Sequence, residues 1–418
     1  MQTLHQFQIL EGPNGVQIVF DAETLALLEA DEESIGDLMS AAKTKDLSTL
    51  NPVAIQCLEG AGLISSPAAA TKRQSLSINA FRVVLTERCN FRCPECFVTN
   101  QAAHLRTMNQ QTIREVVAKA TELSGGKPFT FHFFGGEPLL QMKLIRTAVE
   151  VTEQARSQGL IEPAYAITTN LTLIDEAMAK FFKQFGFRVG VSIDGPAEIN
   201  DRYRVYHGGR STYSDVAEKY ELLTRHDIDT FILITPHKDS VAELPDIFTC
   251  LVRRFETKRV TVNTPFRENS FGWDVDGKMY VEALVEIERR AKQLGIKVDS
   301  ALTPPLSALS NATPRQSACS ILGNSTMASV APDGTVSPCP QNWQSTVPLS
   351  DVQGCQKVLV SGRSRSCKKC ISRNICGGPC RLFCHLSSQS LDSARCDFMR
   401  NVPRLVAKNL DLFVEATE

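Results

Sequence analysis

The stretch FRVVLTERCNFRCPECF, residues 81–97, decides the fold. Phe81 to Thr86 form a nearly continuous apolar and β-branched run, the pattern of a strand buried on both faces in a parallel sheet. Cys89, Cys93 and Cys96 follow directly, on what must be a loop at the strand's C-terminal end. Three thiolates within eight residues can hold three irons of a [4Fe–4S] cluster, whose usual complement is four cysteines. The fourth iron is then open to a small molecule. A zinc site is the competing reading, although structural zinc prefers paired C-x2-C knuckles and four-ligand closure.

Working outward, five more runs of the same kind recur: FTFHFF (129–134), AYAIT (164–168), FRVGVSI (187–193), FILIT (231–235) and VTVN (260–263). Helical patterns separate them. In the first, Ile113, Val116, Val117, Ala120 and Leu123 share one face behind Asn109 as N-cap. Six βα units predict an α/β chain built on a partial (β/α)6 TIM-like barrel, with its chemistry at the strand C-terminal ends. Polar groups stand at those ends. Gly135-Gly136-Glu137-Pro138 closes the second strand, where missing side chains let a ligand approach the backbone and Glu137 can accept from an ammonium. Thr168-Thr169-Asn170 closes the third, and Ser192, Asp194 and Gly195 close the fourth.

The C-x3-C-x2-C spacing with Phe97 directly after it resembles the radical S-adenosylmethionine superfamily. The resemblance implies that Cys89, Cys93 and Cys96 ligate the cluster and that Gly135, Gly136 and Glu137 receive the amino group of S-adenosylmethionine. It also places Asn170, Ser192, Asp194 and Arg204 in the cofactor-binding set, with Ser192 and Arg204, or Arg202 in its place, on the methionyl carboxylate or ribose. The implied chemistry is one-electron cleavage of the sulfonium, then removal of a hydrogen atom from the substrate, with flavodoxin or ferredoxin as external electron donor. No general base is required, and none is assigned.

Cysteines are dense again near the C-terminus. Cys319, fourteen residues, Gly334, four residues and Cys339 precede Cys367-x2-Cys370-x5-Cys376-x3-Cys380 and finally Cys396. This order resembles the SPASM domain, which implies two auxiliary iron–sulfur clusters. By that resemblance Cys367, Cys370, Cys376 and Cys396 hold the distal cluster, and Cys319, Cys339 and Cys380 the nearer one. The nearer cluster is a ligand short, and Cys355, Cys384 or a substrate group could complete it. An open iron there would anchor a substrate thiolate. Cys57 and Cys250 lie alone in apolar helical patterns and read as small hydrophobes.

Before the first cysteine motif come strands at 16–20 and 24–28, helical stretches near 33–42 and 51–60, and a small, polar linker from Ser65 to Ser75. This winged-helix-like module resembles the peptide-recognition domain of enzymes that mature ribosomally made peptides. The expected domains are therefore 1–75 for leader-peptide recognition, 76–305 for the barrel and 306–418 for the iron–sulfur SPASM domain, reached through a Pro-rich stretch at 303–315. The expected function is installation of a crosslink in a precursor peptide, a thioether ahead of a carbon–carbon bond. A sulfatase-type maturase forming formylglycine is the rival enzyme, and a zinc-binding interaction protein is the rival from another class.

The 418 residues carry 45 basic and 46 acidic side chains, a formal charge of -1, so no global field draws nucleic acid or an anionic membrane. The N-terminus lacks a signal-peptide pattern, and no apolar run reaches a membrane span. A cytoplasmic protein is expected. In a reducing compartment its 14 cysteines would ligate metal rather than pair.

Overall fold

Strands with few exposed residues set the architecture. In the computed structural model, which describes residues 3–44, 46–50, 52–60, 63–65, 78–98, 105–265, 273–315, 327–339, 346–357, 367, 369–378 and 393–413, the central sheet has nine strands. Six are the expected ones: β6 (Ala80–Thr86), β7 (Pro128–Gly135), β8 (Glu162–Thr169), β9 (Arg188–Ser192), β10 (Thr230–Ile234) and β11 (Arg259–Val262), all parallel and in sequence order. Phe81, Val83, Phe129, Phe131, Phe133, Ile167, Val191 and Val260 are buried under the surrounding helices. The intervening residues line the opposite, concave face. Asn109 caps the helix Gln110–Ser124 as expected, its side chain accepting from Thr112 N at 2.8 Å.

Three strands were not legible. β12 (Lys297–Asp299) adds to the β11 edge, while β13 (Met327–Val330) pairs in parallel with β6 and carries β14 (Val336–Ser337) antiparallel beside it. Each has four residues or fewer, too short to show a period. The tail is thus less strand-poor than its composition suggests. Part of the Pro-rich stretch is helical, Thr303–Ser310, because Pro304 and Pro305 occupy the first turn, where no backbone N–H is needed.

In the N-terminal module β3 (Gln17–Asp21) and β4 (Leu27–Ala30) form the expected hairpin, and β2 (Phe7–Glu11) adds a third strand to β3. β1 (Thr3–Leu4) pairs with β5 (Ile64–Ser65), and helices span Glu32–Thr44 and Pro52–Gly60. The three-stranded sheet is apolar on both faces. Leu10, Ile18 and Phe20 join the main core, whereas Val19 packs with Leu38, Leu58 and Leu63 in a separate cluster.

Its β3–β4 turn is bound to the C-terminal part of the chain. Asn374 Nδ2 donates to the carbonyls of Ala22 at 2.8 Å and Glu23 at 3.2 Å, and Arg373 pairs with the Glu23 carboxylate and donates to Gln6 Oε1 at 3.0 Å. Asn374 and Arg373 lie between Cys370 and Cys376, so the N-terminal sheet rests on the loop that carries two candidate cluster ligands. Residues 66–77, most of the expected linker, lie outside the described residues. No described helix is long and apolar enough to cross a membrane.

Candidate functional site

The C-terminal ends of β6 to β10 meet around the first cysteine loop. Gly136 N donates to Thr86 O at 2.8 Å and Glu137 N to Arg88 O at 2.9 Å, zipping the turn after β7 onto the loop after β6. A Cβ on Gly135, whose φ is 146°, would fall 2.2 Å from Thr86 O, and one on Gly136 would fall 2.2 Å from Arg88 O. The space saved by the two glycines admits the cysteine loop's own backbone. Gly136→Ala is expected to cost about 1–3 kcal/mol through overpacking against backbone that cannot rotate away. A urea midpoint within error of the parent would contradict this.

The Glu137 carboxylate is fully buried and accepts from Leu139 N at 2.9 Å, Thr169 Oγ1 at 2.7 Å and Asn170 N at 2.8 Å, so it braces β7 to β8. Burial pushes its carboxyl up to about 7, against the three donors that pull it down.

Asn170 does reach the cysteine loop. Its Nδ2 donates to Asn90 Oδ1 at 2.8 Å and lies 3.8 Å from Cys89 Sγ, which also accepts from Phe91 N at 3.3 Å. Cys89, Cys93 and Cys96 lie within electrostatic reach of one another. Burial pushes the Cys89 thiol up to about 12 and Cys93 to about 11, the latter opposed by the Arg204 guanidinium. Buried thiols of this kind ionise readily only on a cation. The donor set therefore fits an iron–sulfur cluster.

Asp194 and Arg204 form one buried unit. Arg204 Nη2 donates to Asp194 Oδ1 at 2.9 Å with Nε 2.8 Å from Oδ2, and Asp194 Oδ1 also accepts from Thr235 N at 2.8 Å. Burial raises the Asp194 carboxyl, but Arg204 and His237 outweigh it and hold it at about 2. Ser192 is half-buried at the end of β9.

Three neighbours escaped sequence reading. His237 lies 3.5 Å from Asp194 Oδ2 through Nε2 and 3.0 Å from Glu95 Oε2 through Nδ1, and the Tyr203 ring stacks on it with centroids 3.5 Å apart. The hydrogen bonds to Asp194 and Glu95 raise His237 against the opposing effect of its burial. The available signal was positional: His237 follows β10 as Asp194 follows β9.

In the tail, Cys396 is within electrostatic reach of Cys376 and Cys367, and Arg400 of Cys396 and Cys370, so the four cysteines expected at the distal cluster gather at the start of the helix Ser393–Lys408. Arg395 Nη1 donates to Cys376 Sγ at 3.4 Å. Cys339 stands apart from them, near Arg82 of β6. Cys319, Cys380 and Cys384 lie outside the described residues, as does the side chain of Cys355. No three Cys, His, Asp or Glu side chains among the described residues close on a single ion. A polynuclear cluster demands less, because each thiolate binds its own iron. Cys376→Ala is expected to lower both iron content and soluble yield, since cluster binding and folding are linked in this segment. Unchanged iron and yield would count against that role.

The Radical SAM superfamily profile matches residues 83–251, the part of the chain from β6 into the helix Leu244–Phe255. The serine-type anaerobic sulfatase-maturating enzyme of Klebsiella aerogenes is 26% identical over 44% of this chain and 46% of its own length. This chain spans about half the length of the curated relatives it matches. Among solved structures, native anSMEcpe with bound AdoMet superposes at TM-score 0.65 and 21% identity, covering 79% of this chain and 99% of that one. Streptococcus suis SuiB bound to precursor peptide SuiA superposes at TM-score 0.58 and 13% identity, covering 95% of this chain and 100% of that one. At these identities the two likenesses are of fold. Residues 83–251, which carry the cysteine loop at the edge of the partial parallel barrel, are the part of this chain that matches the Radical SAM superfamily.

Proposed function

We propose that this chain is a radical S-adenosylmethionine peptide maturase that removes hydrogen from a ribosomally made precursor and installs a crosslink, a thioether ahead of a carbon–carbon bond. The observation that carries the peptide reading is the N-terminal sheet. Among the described residues β4 pairs with β3 alone, leaving an edge to which a leader peptide can add as a strand through backbone hydrogen bonds. The precursor complex of the Streptococcus suis neighbour, whose likeness covers 95% of this chain, supports the reading.

In this account residues 1–75 recognise the leader, 76–305 form the catalytic barrel and 306–418 carry two auxiliary iron–sulfur clusters. Cys89, Cys93 and Cys96 hold the first [4Fe–4S] cluster. Cys367, Cys370, Cys376 and Cys396 hold the distal auxiliary cluster, and Cys319, Cys339 and Cys380 the nearer one. Bound together, the first cluster and S-adenosylmethionine supply a one-electron cleavage whose product takes a hydrogen atom from the substrate. The chain's own residues do the rest. Asn170 orients the Cys89 side of the loop, the Gly135–Glu137 backbone and Ser192 border the cofactor, and the Asp194–Arg204 pair sets the wall beside Cys93.

Thioether formation removes one carbon-bound hydrogen, the thiol proton and two electrons. One electron leaves with the hydrogen atom; the other requires an acceptor, the role assigned to an auxiliary iron–sulfur centre. A flavodoxin or ferredoxin is the proposed external donor. The test is incubation of the reconstituted full chain, reductant and S-adenosylmethionine with cysteine-bearing candidate precursor peptides. A peptide lighter by two hydrogens supports the reading, whereas formylglycine in a sulfatase peptide would favour the sulfatase-type rival.

A further inference from the structure

The concave face of the barrel carries a cation that the proposed reaction does not use. Arg82 projects from β6 between Phe81 and Val83, both fully buried under the helices, and is therefore on the opposite, half-buried face. His132, Phe134 and Thr168 share that face on β7 and β8. Between the first and last residues of β6 to β11, Arg82 is the one charged residue on it.

The strand residues beside Arg82, His132, Phe134 and Thr168, carry no negative charge. The hydrogen bond that Arg82 makes among the described residues runs from Nε to His132 Nδ1 at 3.5 Å. His132 Nε2 is 2.8 Å from Thr168 Oγ1, so accepting from Arg82 leaves the imidazole neutral, with its proton on Nε2. Burial and then the Arg82 charge press the imidazole down to about 3, so His132 adds no compensating or competing charge near neutral pH. The guanidinium also stands 5.3 Å over the Phe134 ring, and Phe134 stacks at 6.1 Å on Phe97, the residue after Cys96. Among the described residues, the partner within electrostatic reach of Arg82 is Cys339. An arginine held here among aromatic rings, two rings from the cysteine loop, has the fork geometry for a carboxylate.

Building on the peptide-maturase reading, we propose that Arg82 anchors a carboxylate of the substrate peptide on the concave face of the barrel, beneath the cysteine loop. The carboxylate comes from an acidic side chain or from the peptide's C-terminus. The same contact fixes how deep the peptide enters, so Arg82 is a specificity-determining residue for the position at which hydrogen is removed.

Three probe peptides test this on the reconstituted full chain with S-adenosylmethionine present: acetyl-Phe-Glu-Phe-amide, acetyl-Phe-Gln-Phe-amide, and acetyl-Phe-Gln-Phe with a free C-terminus. Calorimetry is expected to show at least one acidic probe binding about tenfold more tightly than the neutral one, the scale of a charge-assisted hydrogen bond. The acidic probe that wins identifies the source of the carboxylate. Arg82→Gln is expected to erase the difference and Arg82→Lys to retain part of it, since an ammonium keeps the charge and loses the fork. Equal binding of all three by the parent chain would overturn the anchor and leave the peptide reading standing. So would a preference that survives Arg82→Gln, or an Arg82→Gln effect confined to the iron–sulfur spectrum, which would make Arg82 a partner of Cys339 alone. Failure of every probe to bind would take down the anchor and the peptide reading together.

Discussion

A chain with Cys89, Cys93 and Cys96 all replaced by alanine is expected to release no 5'-deoxyadenosine from S-adenosylmethionine under reducing conditions. The three thiols are the donor set that meets the ends of β6 to β9, and the gathered cysteines of the tail, Cys367, Cys370, Cys376 and Cys396, belong to a different part of the chain. On this account auxiliary clusters do not substitute for them, so the variant should keep part of its iron while losing cleavage. The paired measurement is iron content against nucleoside released, by chromatography. Cleavage persisting at a tenth of the parental rate or more, with the three cysteines gone, would remove the basis of the assignment.

The second large effect concerns the buried ion pair. Asp194→Ala strips Arg204 of its carboxylate where both side chains are shielded from water, at 2% and 17% exposure, and leaves Thr235 N without its acceptor. Breaking a buried pair by removing one partner typically costs about 3–5 kcal/mol, far more than the pair itself contributes against an apolar replacement. The variant should unfold at markedly lower urea concentration and lose affinity for S-adenosylmethionine. The sign of the pH dependence follows from the same group. Its carboxyl falls from the ordinary 3.8 to about 2 in the folded chain, so its contribution is complete above about pH 4 and is lost as the pH drops toward 2. Removing Asp194 should flatten that part of the acid-unfolding curve; an unchanged curve would show that the pair contributes nothing there.

Much of the barrel was legible because its strands are buried on both faces. Six runs from Phe81 to Asn263 are apolar enough to stand out against helical periodicity, and the cysteine loop is a chemical pattern that needs no fold to be read. What stayed hidden had physical reasons. Lys297–Asp299 is a three-residue strand with both ends exposed, and it exists because the β11 edge is there to pair with. The bracing contacts of Glu137 were hidden because a carboxylate at a strand end can turn outward or inward, and Leu139, Thr169 and Asn170 become its partners only in the fold. Arg82 was invisible for the converse reason: inside an apolar run, one arginine looks like a tolerated exception until the strand's two faces are distinguished. His237 and Glu95 are 142 residues apart and become neighbours only when β10 and the cysteine loop are brought to one edge.

The N-terminal sheet shows how sequence and packing divide the information. Alternation along residues 16–28 revealed the β3–β4 hairpin, but β2 owes its place to burial of Leu10 with Ile18 and Phe20 in the main core. The contacts of Asn374 and Arg373 with Ala22, Glu23 and Gln6 join residues more than 350 positions apart, beyond the reach of any local pattern. They tie the proposed leader-binding module to the loop bearing Cys370 and Cys376.

The most direct test is electron paramagnetic resonance of the reduced, anaerobically reconstituted full chain before and after S-adenosylmethionine is added, read as the difference between the two spectra. The account predicts that the nucleotide shifts the g values of a [4Fe–4S] signal, because it binds the iron that Cys89, Cys93 and Cys96 leave open. A spectrum indifferent to the nucleotide, or a chain that purifies with zinc in place of iron, would contradict it.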